Sequence, residues 1–484
     1  MNELAALGLE AARSAGAGYA DVRINRYRNQ RLAAREDHLT AISDEESYGM
    51  GIRVLVKGTW GFAASSRVTR EEVPRVAALA VATAKANVAG RSEAVRLVPV
   101  ERYEDVWQTP YVKDPFEVPL DRKVELLLAI NREALRVKGA KYCSSSLHFV
   151  REDKSFASTA GTLLSQTLVR CNPAYTVTAV DGKTGRFATR SHDIPPAAYG
   201  YEYVEEAHLA DAAGRIAEEA VQKLRARPAG AGRKDLVLHP SNLWLTIHES
   251  VGHPTELDRA LGYEANFAGT SFATPDKLGK LRFGSPRVNF IADRILPGGL
   301  ATVGYDDDGV KARRWHLVKD GLFVDYQTTR EQARWIGQNS SKGCAHADSW
   351  ASIPFQRMPN VSLLPGTAAR SAEELIAEVK DGIYIVGDGS YSIDQQRYNF
   401  QFSGQSFREI RDGKLGDALR DLAYQSNTTE FWNACDGLGG PETWMTHGTF
   451  YDGKGEPGQV NAVSHASPVA RFRGINVLST ERKL

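Results

Sequence analysis

The stretch SNLWLTIHESVGHPTELDRALG, residues 241–262, decides how this chain is read. It follows a short apolar run, KDLVLHP (234–240), which reads as a buried strand stopped by Pro240, with Ser241 placed to cap a helix. Within that helix His248 and Glu249 are followed by His253, an HExxxH pattern one residue longer than HExxH. Histidines five apart on a regular α-helix are rotated by about 140° and cannot share an ion. Gly252 is permissive in backbone, and Pro254 lacks an N–H and crowds the carbonyl of Ser250. The sequence therefore predicts a kink or a widened π-type turn that brings both imidazoles to one side. A zinc ion held there needs about three protein ligands and leaves a position for water, and Glu249 is placed to act as general base.

On the N-terminal side of this helix the chain alternates helical and strand patterns. Leu4, Leu7 and Ala11 recur at helical spacing, and the stretch from Tyr19 to Ser43 alternates apolar and polar residues as a half-buried strand does. GIRVLVKGTWGFAASS (51–66) reads as two strands around a Lys57-Gly58 turn. Helical periods return at 70–89 and at about 120–137, with strands from about 141 to 190. The Pro-rich HDIPPAAYG (192–200) suggests a boundary, giving an N-terminal α+β domain at 1–195 and a C-terminal β-rich domain at 196–484 that carries the HExxxH helix. Residues 204–226 are helical in pattern. From about residue 285 short apolar runs broken by Lys319-Asp320-Gly321 and Arg411-Asp412-Gly413 predict hairpin-rich β structure.

Composition narrows the function class. The 484 residues carry 60 Lys plus Arg against 59 Asp plus Glu, a formal charge of +1 that offers no field to attract nucleic acid or an anionic membrane. No stretch approaches the ~20 apolar residues of a spanning helix. The N-terminus, with Glu3 and Glu10, does not read as a secretory signal. Cys143, Cys171, Cys344 and Cys435 are widely spaced, which suggests a reducing, cytoplasmic setting. Asp306, Asp307 and Asp308 before Gly309 read as a tight turn rather than a calcium loop, and the GDGS at 387–390 lacks a phosphate-binding lysine. The polar run from Gln395 to Asn399 is able to line a groove, with a surface strand as the plainer reading.

Five segments resemble the TldD/PmbA family of peptidases, also called the modulator of DNA gyrase family, in the family's order. They are YGMGIRVLVKGTWGFAASS, LVLHPSNLWLTIHESVGHPTELDR, DDDGVKARRWHLVKDGLF, GDGSYSIDQQRYNFQFSGQSFREIRDGKLGDALRD and GQVNAVSHASPVARFRGINV. The resemblance implies a two-domain α+β fold and a zinc-dependent peptidase of short or unfolded peptides, because the chain keeps His248, Glu249 and His253 like the active subunit. It also implies partnership with a second copy or with a paralogue that lacks the motif; the alternative function is a non-catalytic peptide-binding or assembly subunit. A peptide would bind extended along a sheet edge. Family members supply a cysteine as third ligand in a CGKxGQ segment, where this chain reads YDGKGEPGQ. Matching Gly453-Lys454 to the motif puts Asp452 at the ligand position, with Cys435 in NACDGLGG as the competing candidate and His447 and His465 behind them.

Overall fold

The computed structural model describes residues 2–481, and two large sheets organise them. The first has seven strands. Its order is Thr59–Ser65, His38–Val56, Tyr19–Arg35, Ala140–Ser158, Leu163–Val180 and Glu104–Gln108, with Phe187–Ser191 also paired to Leu163–Val180. Neighbours are antiparallel except Glu104–Gln108, which runs parallel to Leu163–Val180. The alternating stretch expected from Tyr19 to Ser43 is a hairpin that turns at Glu36-Asp37.

Helices cover this sheet in two groups. Asn2–Ser14 and Glu72–Asn87 bury Ala5, Ala12, Val73, Val76, Ala77 and Ala80 against the strands around Val22, Ile52 and Val54. Leu120–Leu135 and Leu209–Arg225 bury Leu127, Ile130, Ala213, Ile216, Ala217 and Ala220 against Leu147, Phe149 and Val177. The second group contains residues on both sides of position 195. We therefore place the division between the two large units at residues 226–232, after the helix that completes the first core.

The second sheet contains Gly232–Leu238, Asp381–Ile393, Asn399–Arg411, Leu422–Asn427 and Ala470–Ser479, with shorter strands at its margins. Its hairpin turns use left-handed residues: Asp412-Gly413 links strands of this sheet, and Asp320-Gly321 does the same in a smaller one. Gly232–Leu238 lies between Asp381–Ile393 and Ala470–Ser479 and leads directly into the helix Pro240–Ile247. The ribbon of Met445–Lys454 and Gln459–Ser467 packs on the same helix. Among the described residues no helix is long and apolar enough to cross a membrane.

The Asp306–Asp308 turn lies between the two units. Asp307 meets Lys154 at 2.8 Å and Asp308 meets Arg53 at 2.7 Å, all four side chains buried. Asp306 caps its own turn, accepting the N–H groups of Asp308 and Val310 at 2.9 and 2.8 Å. The tight-turn reading of this acidic run is thus completed by a buried ionic seam that ties the sheets together.

Candidate metal centre

His239, rather than Ser241, is the residue that caps the helix: its ring accepts the Ser241 N–H, and Pro240 takes the first helical position, where a missing N–H costs nothing. After Ile247 the helix widens. The N–H of His253 bonds to the carbonyl of His248, five residues back, so His248–Gly252 is a π turn. A Cβ at Gly252 would lie 2.5 Å from the buried Met358 sulfur, so only glycine lets the widened turn settle on that side chain. The two imidazoles, which a regular helix would point apart, come to a centroid separation of 4.5 Å.

Their hydrogen bonds define which nitrogens are free. His465 Nδ1 lies 2.8 Å from the Val361 carbonyl, which only accepts, so that nitrogen carries the proton and His465 Nε2 is an acceptor. His248 Nδ1, 2.9 Å away, must donate to it, which leaves His248 Nε2 with a bare lone pair. His253 Nδ1 lies 3.0 Å from a Glu256 carboxylate oxygen and 3.2 Å from Arg259 Nη2. These two contacts demand opposite tautomers. We assign the shorter one, to an ionised carboxylate, so that Nδ1–H donates and His253 Nε2 is also bare.

Asp452 completes the group from the ribbon strand Met445–Lys454. Its Oδ1 stands 3.7 Å from His248 Nε2 and 3.8 Å from His253 Nε2, while Oδ2 accepts from Arg357 at 3.2 Å. In a tetrahedral zinc site with bonds of ~2.0–2.1 Å, ligand atoms are about 3.4 Å apart. The two Asp452 separations exceed that spacing by a few tenths of an ångström, and all three ligand atoms lie within 4.8 Å of one another. The donor set therefore fits zinc: two imidazoles and a carboxylate. Burial pushes His248 down to about 3 and His253 well below its ordinary value, so both rings are neutral, as ligation requires. Burial raises the Asp452 carboxyl, opposed by Arg357.

A second layer holds these side chains. Burial alone would raise Glu256, but Lys454 and Arg259 hold its carboxyl well below the usual range. It accepts from Arg259 Nε at 2.8 Å and Lys454 Nζ at 3.3 Å, and Lys454 also reaches Asp258 at 2.8 Å. All of these side chains are buried, and each cation has an acid partner.

Glu249, on the π turn beside His248, is buried and pairs through Oε2 with Arg397 Nη1. Burial raises its carboxyl, and the Arg397 guanidinium pulls it back. Arg397 Nη2 donates to the Ala268 carbonyl at 3.2 Å. The half-exposed Tyr391, stacked near Phe402, has its phenol raised chiefly by the Glu249 charge.

The structure thus brings His248, His253 and Asp452 within 4.8 Å of one another with Glu249 adjoining, and among the described residues this is the one group able to hold a metal ion. Cys435 is outside it. That thiol lies in the apolar core on the strand Cys435–Leu438, opposite Phe472, and burial pushes it up to about 12, the reverse of what a thiolate ligand needs. His465 orients His248 from behind and faces away from the ligand atoms. His447, opposite it in the ribbon, lies near His239 with its ring centroid 6.4 Å away. The run from Gln395 to Asn399 is a hairpin tip rather than a surface strand, and it delivers Arg397. Glu256, Arg259 and Arg357 escaped sequence reading. Glu256 alone had a local signal, three residues after His253.

Comparison with known proteins settles the lineage. The model of the PmbA/TldA metallopeptidase C-terminal domain matches residues 231–479, more than half of the chain, and those of domain 1 and the central domain match 20–84 and 113–227. The chain belongs to the TldD/PmbA family of metallopeptidases. It is 27% identical over 462 residues to a metalloprotease of Methanothermobacter thermautotrophicus, covering 96% of both chains. It is 22% identical to a zinc metalloprotease TldD homolog of Saccharolobus solfataricus, covering 88% of this chain and 90% of that one. Its fold matches a crystal structure described as a modulator of DNA gyrase from Bacteroides thetaiotaomicron, with a TM-score of 0.76 at 16% identity over 99% of this chain and 98% of the other. It also matches TldE from Thermococcus kodakarensis, with a TM-score of 0.71 at 17% identity over 97% and 98%.

Proposed function

We propose that this chain is a zinc-dependent peptidase acting on short or unfolded peptides, with His248, His253 and Asp452 as ligands and Glu249 as general base. The observation that carries the proposal is the convergence of two bare imidazole nitrogens and one carboxylate oxygen beside a buried glutamate. Zinc bound there supplies Lewis acidity and brings the pKa of water toward ~7. The chain's own residues do the rest. Glu249 takes the proton of the attacking water and returns it to the leaving amine, its carboxylate held in place by Arg397. His465 and Glu256 fix the imidazole tautomers. What supports the catalytic reading over a non-catalytic subunit is the buried Asp452 carboxylate, whose Oδ1 lies within 3.8 Å of both imidazole nitrogens.

The partners of this reading are an extended peptide and a second subunit, either another copy or a motif-lacking paralogue, in a cytoplasmic setting. The test is Glu249→Gln, which is nearly isosteric but accepts no proton. Zinc content is expected to stay at wild-type level while hydrolysis of an unfolded peptide falls by ~10²–10⁴-fold. Retention of more than about a tenth of wild-type activity contradicts the general-base assignment.

A further inference from the structure

Beside the metal centre lies a cavity of about 570 Å³, the size of a small-ligand or side-chain site, bounded by separate stretches of chain. Phe62 enters it from the edge strand of the first sheet, Thr59–Ser65. Tyr263 and Phe267 come from the loop that follows the helix of His248 and His253. Phe355 comes from the short strand Phe355–Gln356, and Glu456 from the turn of the ribbon that carries Asp452.

Every charged side chain on its wall is an acid, Asp258, Glu264 or Glu456, and no Lys, Arg or His lines it. Asp258 is neutralised by Lys454 at 2.8 Å. Glu456 has only the Asn266 amide, which donates to its Oε2. Glu264 is 8% exposed, yet it forms no ion pair among the described residues. Its Oε2 accepts the Gly455 N–H at 3.3 Å, and its Oε1 has no protein donor and stays open to the cavity. Burial raises this carboxyl, opposed by the Lys454 charge. A carboxylate so deep is costly without a cation in contact, and the open side of Glu264 is where a ligand can bring one.

The walls say which cation. The three acids do not converge as metal ligands do: among the described residues only His248, His253 and Asp452 form such a group. The other walls are aromatic. Tyr263 is 65% and Phe267 54% exposed, and the Tyr263 ring is held by stacking on Trp335 at 5.3 Å between centroids. Separated carboxylates and open rings suit a guanidinium or ammonium group on an apolar stem, which takes charge-assisted hydrogen bonds at its head and cation–π and apolar contact along its length.

The cavity and the metal centre share their supports. Lys454 donates to Asp258 on the cavity wall and to Glu256 behind His253. Phe267 precedes Ala268, whose carbonyl accepts from Arg397, the partner of Glu249. Through Lys454 and Glu256 the Asp258 carboxylate is no more than about 14 Å from His253 Nε2, the span of about four extended residues. We propose that this cavity binds a lysine or arginine side chain of the peptide, with Glu264 and Glu456 as its carboxylate partners, and so selects peptides with a basic residue within about four positions of the cleaved bond. The inference rests on the zinc-peptidase reading above and names its substrate class.

The experiment uses the zinc-loaded full chain and a set of unstructured peptides, identical except that arginine or its neutral isostere citrulline stands at each position in turn. Hydrolysis is read as kcat/KM, and affinity is read by calorimetry in the Glu249→Gln background, which needs no turnover. The arginine peptide is expected to exceed its citrulline twin by ~10-fold or more at one or two adjacent positions, in both readouts. Glu264→Gln is expected to bring that ratio to within about threefold while citrulline peptides keep their wild-type values. Glu456→Gln and Phe267→Leu, both at exposed side chains, are expected to lower the ratio by about two- to fivefold each, and they carry the test if Glu264→Gln does not fold. The proposal is overturned if no position favours arginine, if the preference survives these substitutions, or if citrulline peptides lose as much as arginine peptides do. Hydrolysis without an arginine preference removes the cavity's role and leaves the peptidase reading standing. An arginine preference in binding that depends on Glu264, in a zinc-loaded wild type that hydrolyses nothing, removes the peptidase reading and leaves the cavity as a binding site.

Discussion

Replacing Glu256 with Gln tests the layer behind the proposed ligands. In the wild type its carboxylate accepts from His253 Nδ1 at 3.0 Å, Arg259 Nε at 2.8 Å and Lys454 Nζ at 3.3 Å, all inside the protein. An amide presents one acceptor and one NH₂ to three donors, so at least one donor faces another. The buried charges of Glu256, Asp258 and Asp452 balance those of Arg259, Arg357 and Lys454, and the substitution leaves one cation in excess. Breaking a buried pair from one side costs about 3–5 kcal/mol. For a cooperative unit of about 250 residues, at about 2 °C per kcal/mol, that is a fall of roughly 6–10 °C in Tm of the metal-free protein. Loss of a group that orients a ligand histidine weakens metal affinity by a further ~10–100-fold. Calorimetric melting of the metal-free protein and zinc competition against a chromophoric chelator read the two effects separately. An unchanged Tm together with an unchanged zinc affinity would mean that Glu256 holds neither the fold nor His253.

Asp452→Ala is expected to strip zinc while Cys435→Ser leaves it bound, measured as metal per chain after dialysis; the opposite result would return Cys435 to the ligand set. Gly252→Val is expected to lose zinc with modest loss of secondary structure, since a Cβ there meets the Met358 sulfur at 2.5 Å and the π turn cannot stay seated. Acidification is expected to destabilise the metal-free protein. Burial holds His447 at about 3 and His346 well below its ordinary value, so below the unfolded pKa of ~6.5 the unfolded chain binds protons that the folded chain refuses. Each group then removes up to about 1.4 kcal/mol per pH unit, and urea midpoints at pH 7.5 and 5.5 measure the sum; a midpoint that does not fall at pH 5.5 contradicts it.

The widened turn was legible in the sequence because its causes are local: five-residue spacing, a glycine and a following proline. Helices at Asn2–Ser14, Glu72–Asn87 and Leu120–Leu135 were legible for the same reason, each having one apolar face. The hairpin at Glu36-Asp37 was not, since Glu36 takes φ +50° without the glycine that normally announces such a turn. Asp452 could be found only by matching its neighbours to a family motif, with Cys435 left as its rival. Lys454 meets Glu256 across 198 residues and Arg397 meets Glu249 across 148, contacts set by the packing of the ribbon and the hairpin on the metal helix. No periodicity encodes them. The prolines near 195 suggest a unit boundary there, whereas the helix Leu209–Arg225 returns to the first sheet because its apolar face matches that of Leu120–Leu135.

In the proposed site one ion joins His248, His253 and Asp452. Anomalous diffraction at the zinc edge from crystals grown with zinc tests it directly. A single strong peak is expected within about 2.0–2.2 Å of His248 Nε2, His253 Nε2 and an Asp452 oxygen, with Glu249 beside it and unligated. A peak at Cys435, or none between the two histidines at saturating zinc, would contradict it.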